Sequence, residues 1–167
     1  VTEVRHFIYE RYRNLLATEF DRGVIDAVLA LEPPLHEVHA RIQACTAFAG
    51  LPQAQSLASA NKRIVNLLKK ATVNDQAVDP RLLEEPAEQA LENLINELEP
   101  QAHQQFKDGD FRGNLTTLSG VRDAVDQFFS NVMVMSPDPA LRDNRLALLG
   151  RLKQLMNQVA DISRLAQ

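Results

Sequence analysis

The residues best suited to chemistry in this sequence are the basic ones between positions 62 and 70. At about 100° per residue, the turn of an α-helix, they fall on one arc and leave Ile64, Leu67 and Leu68 on the opposite side. The arc consists of Lys62, Arg63, Asn66, Lys69 and Lys70. Four cations and an amide in a fixed row suit a phosphate backbone, because the charge supplies affinity and the row sets the register. Cations near the end of a helix are also favoured by the helix dipole, so a structural interpretation stays open.

A second group combines arginine with tyrosine near the start of the chain. Arg5, Tyr9, Tyr12 and Arg13 fall on one face of a predicted first helix. Side chains of these two types can stack on exposed bases while they hold phosphates. The alternative is that the tyrosines pack against a neighbouring helix and the arginines extend to the surface.

A third group lies in the first turns of the last predicted helix, where the helix dipole does not favour cations. It consists of Arg142, Asn144 and Arg145. Their partner is either RNA phosphate or the acidic segment 84–99, and the second alternative would make the arginines structural.

Patterns for catalysis and for metal binding are missing from the sequence. It has no Gly-rich phosphate loop, no Gly-x-Ser-x-Gly turn and no pair of cysteines. His36 and His39 resemble a zinc-protease helix, but they are three residues apart rather than four and have no evident third ligand. Cys45, the only cysteine, excludes an internal disulfide and is expected to be a small buried side chain. We therefore predict no catalytic residue, no metal site and no cofactor site in this chain.

Net charge is a poor guide to the local surfaces of this protein. The 167 residues carry a formal net charge of −4. The excess comes from residues 71–110, which hold ten Asp or Glu and two Lys or Arg, whereas segments 1–70 and 111–167 are each +2. This distribution permits RNA binding without demonstrating it.

The elements that position these groups are predicted to be helices throughout. Leu and Ala dominate the 45% of hydrophobic residues and Trp is absent, which disfavours a strand-rich fold. No apolar run approaches the roughly 18 residues that span a bilayer, so no membrane partner is expected. Helical spacing and the Gly and Pro breaks predict seven helices and a loop near 71–86. The first five cover residues 7–20, 24–31, 35–48, 52–70 and 86–106, and Pro100 should kink or split the fifth. The sixth contains residues 118–132, and the last runs from Pro139 to 162 with Asp138 as its cap. The predicted fold class is all-α, with short helices followed by an antiparallel helical bundle.

The chain opens at Val1, not Met, directly in a charged amphipathic segment. We therefore expect a piece of a longer protein rather than a secretory leader.

Several strings in the sequence resemble the C-terminal region of the bacterial glycyl-tRNA synthetase β subunit. The match is collinear over essentially the whole chain, and its longest strings are the most specific. They are FIYERYR at 7–13, VIDAVLAL at 24–31, SANKRIVN at 59–66, FFSNVMVM at 128–135, ALRDNRLALL at 140–149 and VADIS at 159–163.

The resemblance implies a division into two parts. Residues 1–58 would be the end of the β subunit's helical body. Residues 59–167 would be a DALR-type anticodon-binding helical bundle, a module that arginyl-tRNA synthetases also use. In this family two α and two β subunits form a tetramer, in which the α subunit holds the site for glycine, ATP and Mg²⁺ and the β subunit supplies most of the tRNA contact.

The expected partners are therefore a glycine tRNA and the α subunit, in the cytoplasm, and the chain itself is expected to be non-catalytic and without a cofactor. Glycine anticodons end in two cytosines, whose O2 and N3 accept hydrogen bonds and whose N4 amino group donates them. We predict that the three groups of polar residues described above form the RNA-facing surface. The competing hypothesis is a helical assembly module that docks the α subunit or braces the body of the β subunit.

Overall fold

The computed structural model describes residues 2–71 and 76–167, and every regular element in those residues is helical. The eight α-helices there are α1 (Thr2–Leu16), α2 (Arg22–Leu29), α3 (Val38–Ala49), α4 (Ala54–Lys70), α5 (Pro86–Lys107), α6 (Phe111–Ser119), α7 (Arg122–Asn131) and α8 (Pro139–Met156), with 3-10 turns at Leu35–Glu37, Pro80–Leu82 and Ile162–Leu165. The all-α prediction is confirmed. None of the helices within the described ranges has both the length and the apolar composition needed to cross a membrane.

Short polar residues fix where several helices begin. Asp21 accepts a hydrogen bond from the backbone N–H of Gly23 at 2.8 Å and so caps α2. Asp138 caps α8 through the N–H of Ala140 at 2.9 Å, with Pro139 in the first turn, as the sequence predicts. These caps satisfy N–H groups that have no partner inside the helix.

Several predicted helix boundaries are wrong. The first helix covers Thr2–Leu16 rather than 7–20. The stretch expected to be a sixth helix is two helices, α6 and α7, which separate at Gly120, where the N–H bonds to the carbonyl of Thr117 at 3.2 Å in a tight turn. The final helix ends at Met156 rather than near residue 162, because the chain turns there and inserts the side chain of Ile162 into the core from the last 3-10 turn.

Of the predicted kink or split at Pro100, the split does not occur, and α5 is one element of 22 residues. A proline removes one helical hydrogen bond, so the turn before it needs other support. Arg151 on α8 supplies that support: its Nη2 donates to Asn96 Oδ1 at 2.6 Å and its Nε to Glu99 Oε2 at 3.2 Å. The buried side chains of Ile95 and Ala102 also hold the helix on both sides of the proline.

The helices before and after residue 58 share one hydrophobic core. The expected boundary between residues 58 and 59 falls inside α4, where no break occurs. Two contacts join the N-terminal helices to the end of the chain: the N–H of Asp161 donates to the carbonyl of Ala27 at 2.8 Å, and Arg41 donates to the carbonyls of Gln158 and Val159 at 3.1 and 3.2 Å. The predicted loop near 71–86 lies partly outside the described residues, and its described part includes the 3-10 turn at Pro80–Leu82.

Cys45 is fully buried on α3, and burial raises the pKa of its thiol to about 12. The thiolate is the reactive form, so we expect the native protein to resist thiol-specific reagents at pH 8, whereas the protein in denaturant reacts at once. A colorimetric thiol assay with and without urea measures both rates. Fast labelling in the absence of urea would show that α3 opens readily in solution.

Candidate nucleic-acid interface

Helix α4 carries the best-organised basic surface of the chain, and its other side anchors it in the core. Leu57, Ala58, Asn61 and Ile64 are buried against α7, α8 and the last 3-10 turn. Small residues in the first turns let these neighbours approach closely. The helix axis is therefore fixed from three sides, and its remaining side faces solvent.

The structure brings all five predicted α4 residues together on this solvent-facing side. Each of them is exposed, while the apolar residues of the same turns point inward or are half-buried. We call Lys62, Arg63, Asn66, Lys69 and Lys70 the α4 basic surface. It covers about 12 Å along the helix axis, at 1.5 Å per residue.

The cations of this surface form no close ion pair with the residues that the structure describes. Within residues 2–71 and 76–167, no carboxylate oxygen lies within 4.0 Å of any of the four. Eight arginines elsewhere in the described residues do have such partners; Arg41, for example, pairs with Glu37 at 3.1 Å. Four neighbouring cations without an ion-pair partner among the described residues repel one another and attract anions.

Two shallow depressions flank the α4 basic surface, and Lys62 and Asn66 lie on the ridge between them. One depression is bordered by residues of α4 and by Gln167. The other extends to α2 and to the last 3-10 turn, where Asp26, Asp161 and Arg164 also border it and Arg164 Nε lies 3.3 Å from Asp161 Oδ2. Arg164 lies far from α4 in the sequence, and only the packing of the last 3-10 turn on α4 reveals that they are neighbours.

An aromatic side chain, that of Phe129, lies next to the α4 basic surface. The guanidinium carbon of Arg63 lies 4.4 Å from the centroid of the Phe129 ring on α7. Phe129 is half-buried and meets the buried ring of Phe128 edge to face, with 5.5 Å between centroids. Two adjacent phenylalanines on a predicted helix are a weak signal for this residue, but they do not indicate which of the two rings reaches the surface.

Residues 57–163, which begin in the first turn of α4 and extend into the last 3-10 turn, match the family of DALR anticodon binding domains. The chain belongs to that family.

Curated relatives extend the match to nearly the whole chain and confirm the resemblance predicted from the sequence. The chain is 50% identical to the glycine–tRNA ligase beta subunit of Ralstonia nicotianae over 165 residues, which are 98% of the chain and 24% of the relative. It is 48% identical to that of Aromatoleum aromaticum over 167 residues, 99% of the chain and 24% of the relative. It is 47% identical to that of Methylobacillus flagellatus over 166 residues, 98% of the chain and 23% of the relative. The chain thus spans about a quarter of the length of these relatives.

A pair of amides, the buried Asn61 and the half-buried Asn157, fixes the register of α4 within this DALR domain. Asn61 Nδ2 donates to Asn157 Oδ1 at 2.7 Å, and Asn157 Nδ2 donates back to Asn61 Oδ1 at 3.0 Å. Asn157 Oδ1 also accepts from the N–H of Ile162 at 3.0 Å. The two amides therefore connect α4, the end of α8 and the last 3-10 turn, and they hold Lys62 and Arg63 where α4 faces solvent.

The arginines and tyrosines of α1 are engaged in packing inside this DALR-family chain. The hydroxyl of the buried Tyr9 donates to the carbonyl of Pro33 at 2.7 Å, and Arg5 lies over the Tyr9 ring with its guanidinium carbon 6.0 Å from the centroid. Arg13 Nε lies 3.0 Å from an oxygen of Asp26, and Tyr12 packs against the core. These contacts correspond to the structural alternative for the group, so we do not include it in the α4 basic surface.

Two of the three α8 residues are buried, so the prediction that they face RNA is corrected. Asn144 accepts from the N–H of Asp79 at 2.7 Å and donates to the carbonyl of the same residue at 3.1 Å. Arg145 Nε donates to Glu88 Oε1 at 2.6 Å in a pair that is almost wholly buried. The partner is the acidic segment rather than RNA, because a buried guanidinium needs a fixed counter-charge. Arg142 keeps part of its side chain exposed and lies 3.6 Å from an Asp143 oxygen.

The histidines show no arrangement for metal or acid–base chemistry. His36 and His39 are both exposed, and His39 meets the ring of Phe20 edge to face at 5.5 Å. In the part of the chain that the structure describes, no three His, Cys, Asp or Glu side chains form a group that could hold a metal ion.

Proposed function

We propose that this chain binds the anticodon arm of a glycine tRNA through the α4 basic surface, as one part of a glycine–tRNA ligase β subunit. The observation that carries the proposal is the row of four exposed cations on one helix face, inside the segment that matches anticodon binding domains; no carboxylate of the described residues lies within 4.0 Å of them. Relatives at 47–50% identity bear the name glycine–tRNA ligase beta subunit, which supports the choice of tRNA.

The chemistry of the surface suits single-stranded RNA with accessible bases. Lys62, Lys69 and Lys70 neutralise phosphates, and each neutralised phosphate releases condensed counterions. Asn66 offers an amide that can both donate and accept, and so can pair with the edge of an unstacked cytosine. The anticodon cytosines of a glycine tRNA are suitable targets, because their O2 and N3 need donors and their N4 amino group needs an acceptor.

Catalysis is assigned to other parts of the enzyme. In this proposal the α subunit of a tetramer with two α and two β subunits binds glycine, ATP and Mg²⁺ in the cytoplasm. The present chain contributes tRNA contact, requires no cofactor and forms no aminoacyl bond by itself.

A second candidate function, assembly within the larger enzyme, rests on α1. Its outer face exposes four large apolar side chains, Val4, Phe7, Ile8 and Leu15, at 40–68% of their surface. An apolar face of this kind is usually covered in the complete protein. An assembly role predicts an interaction with the remainder of the β subunit or with the α subunit that persists at high salt, and no preference among RNAs.

The deciding experiment is fluorescence anisotropy of this chain with a labelled anticodon stem-loop of a glycine tRNA, at two salt concentrations. A second stem-loop with both anticodon cytosines replaced is the matched control. We expect salt-sensitive binding that weakens by about 1–3 kcal/mol for each replaced base. Equal affinity for both loops would reduce the function to a clamp on the backbone. No binding to either loop would contradict the proposal and favour the assembly role.

A further inference from the structure

One cation of the α4 basic surface is held differently from the other three. The guanidinium carbon of Arg63 lies 4.4 Å from the Phe129 ring centroid, whereas the other arginine–ring pairs of the described chain lie at 5.1–6.0 Å. Arg41, which also lies over aromatic rings, is buried and donates to backbone carbonyls. Arg63 is exposed and has no carboxylate within 4.0 Å among the residues that the structure describes. Its planar head therefore lies on an aromatic ring and is still open to solvent.

The ring beneath Arg63 is fixed in position. Phe129 is half-buried and its ring meets that of the fully buried Phe128 at 81°. The two helices that carry the pair are joined nearby, where Ser56 Oγ on α4 donates to Asp126 Oδ1 on α7 at 2.9 Å. A side chain that packing holds in place loses less conformational entropy when a ligand binds.

We propose that the Arg63–Phe129 pair is a stacking platform for one unpaired base of the bound RNA. Bases splayed out of single-stranded loops stack on guanidinium planes as well as on aromatic rings. The neighbouring cations of the α4 basic surface hold the phosphates on both sides of that base. This inference rests on the proposed function and assigns Arg63 a role distinct from charge neutralisation.

Two substitutions test the shape of the Arg63–Phe129 pair without changing its charge. Arg63→Lys keeps the positive charge but removes the planar head, and Phe129→Leu keeps an apolar side chain but removes the ring. We expect each variant to weaken binding of the anticodon stem-loop about 5- to 150-fold, the range that corresponds to the loss of one stacked base. The dependence of affinity on salt should stay that of the unmodified chain, because no cation is lost. Arg112→Lys, at an exposed arginine on α6, is the matched control and should bind like the unmodified chain.

Stem-loops that lack one base at a time identify the stacked nucleotide. Removal of that base should weaken binding to the unmodified chain and have little further effect on the Arg63→Lys variant. Since Arg63 is exposed, this variant should fold normally, and circular dichroism checks both variants. If both variants bind the stem-loop with the same affinity as the unmodified chain, the platform is wrong and the proposed function stands. If the unmodified chain binds no stem-loop, the proposed function fails and the platform fails with it.

Discussion

Glu88→Ala is expected to lower the free energy of unfolding by about 3–5 kcal/mol, the range for removing one partner of a buried ion pair. Glu88 on α5 has no exposed surface, and its Oε1 lies 2.6 Å from Nε of Arg145 on α8. Its second oxygen accepts from the N–H of Glu85 at 2.8 Å. The substitution leaves a guanidinium without a counter-charge in the interior. Urea unfolding followed by far-UV circular dichroism measures the loss.

Two control variants distinguish a lost ion pair from a general effect of substitution. Glu99→Ala removes a partly exposed partner of Arg151 and should cost no more than about 1 kcal/mol. Replacing Glu88 by Leu together with Arg145 by Met removes both charges at similar volume and should cost less than Glu88→Ala alone. If the single and double variants lose the same stability, the buried charge is not the cause of the loss.

The same pair also shows why the sequence of α8 predicts an RNA contact for Arg145 that the structure does not contain. An arginine in the first turns of a helix needs a partner, and the sequence allowed either the acidic segment or a phosphate. Glu88 and Arg145 are 57 residues apart, and only the packing of α5 on α8 makes the choice between these partners. Arg145 Nη1 further donates to the carbonyl of Met133 at 2.7 Å. The guanidinium therefore fixes the loop before α8 instead of projecting from the surface.

Helical periodicity is a local property, and so the arc of cations on α4 was predictable from nine consecutive residues. The depth to which each face is buried depends on neighbouring elements. Tyr9 illustrates this limit, because its buried hydroxyl binds the carbonyl of Pro33 from a different segment. Pro100 illustrates it in another way, since the turn at this proline is supported by Arg151, a residue of α8.

Two residues beside the α4 basic surface, Arg164 and Phe129, are not predictable as its neighbours from the sequence. Both lie beside α4 through tertiary contacts. Arg164 has no neighbouring pattern that signals a binding role, and the adjacent phenylalanines do not indicate which ring reaches the surface. Arg164 borders a depression next to Lys69, and Phe129 lies under Arg63. A basic helix can thus be predicted as a nucleic-acid surface from its own residues, while the groups that complete it come from the fold.

The largest effect on RNA binding is expected from the combined substitution of Lys62, Lys69 and Lys70 by alanine. Each lysine that neutralises a phosphate contributes about 0.7 to the slope of log affinity against log salt on a single strand. The triple variant should therefore flatten that slope by up to about 2 and bind the anticodon stem-loop more weakly at low salt. Because these side chains are exposed and unpaired in the described structure, the stability of the protein should change little.

The matched control removes three exposed cations from other helices, Arg11, Lys107 and Arg112. It lowers the net charge of the protein by the same amount, so a general electrostatic attraction would weaken equally in both triple variants. A localised surface requires that only the α4 variant lose affinity and salt dependence. Because Arg63 is intact in both variants, any binding that remains in the α4 variant at high salt can be assigned to stacking, which Arg63→Lys then tests separately. Equal losses in the two triple variants would mean that RNA is attracted by the overall charge, and the assignment of the α4 basic surface would be wrong.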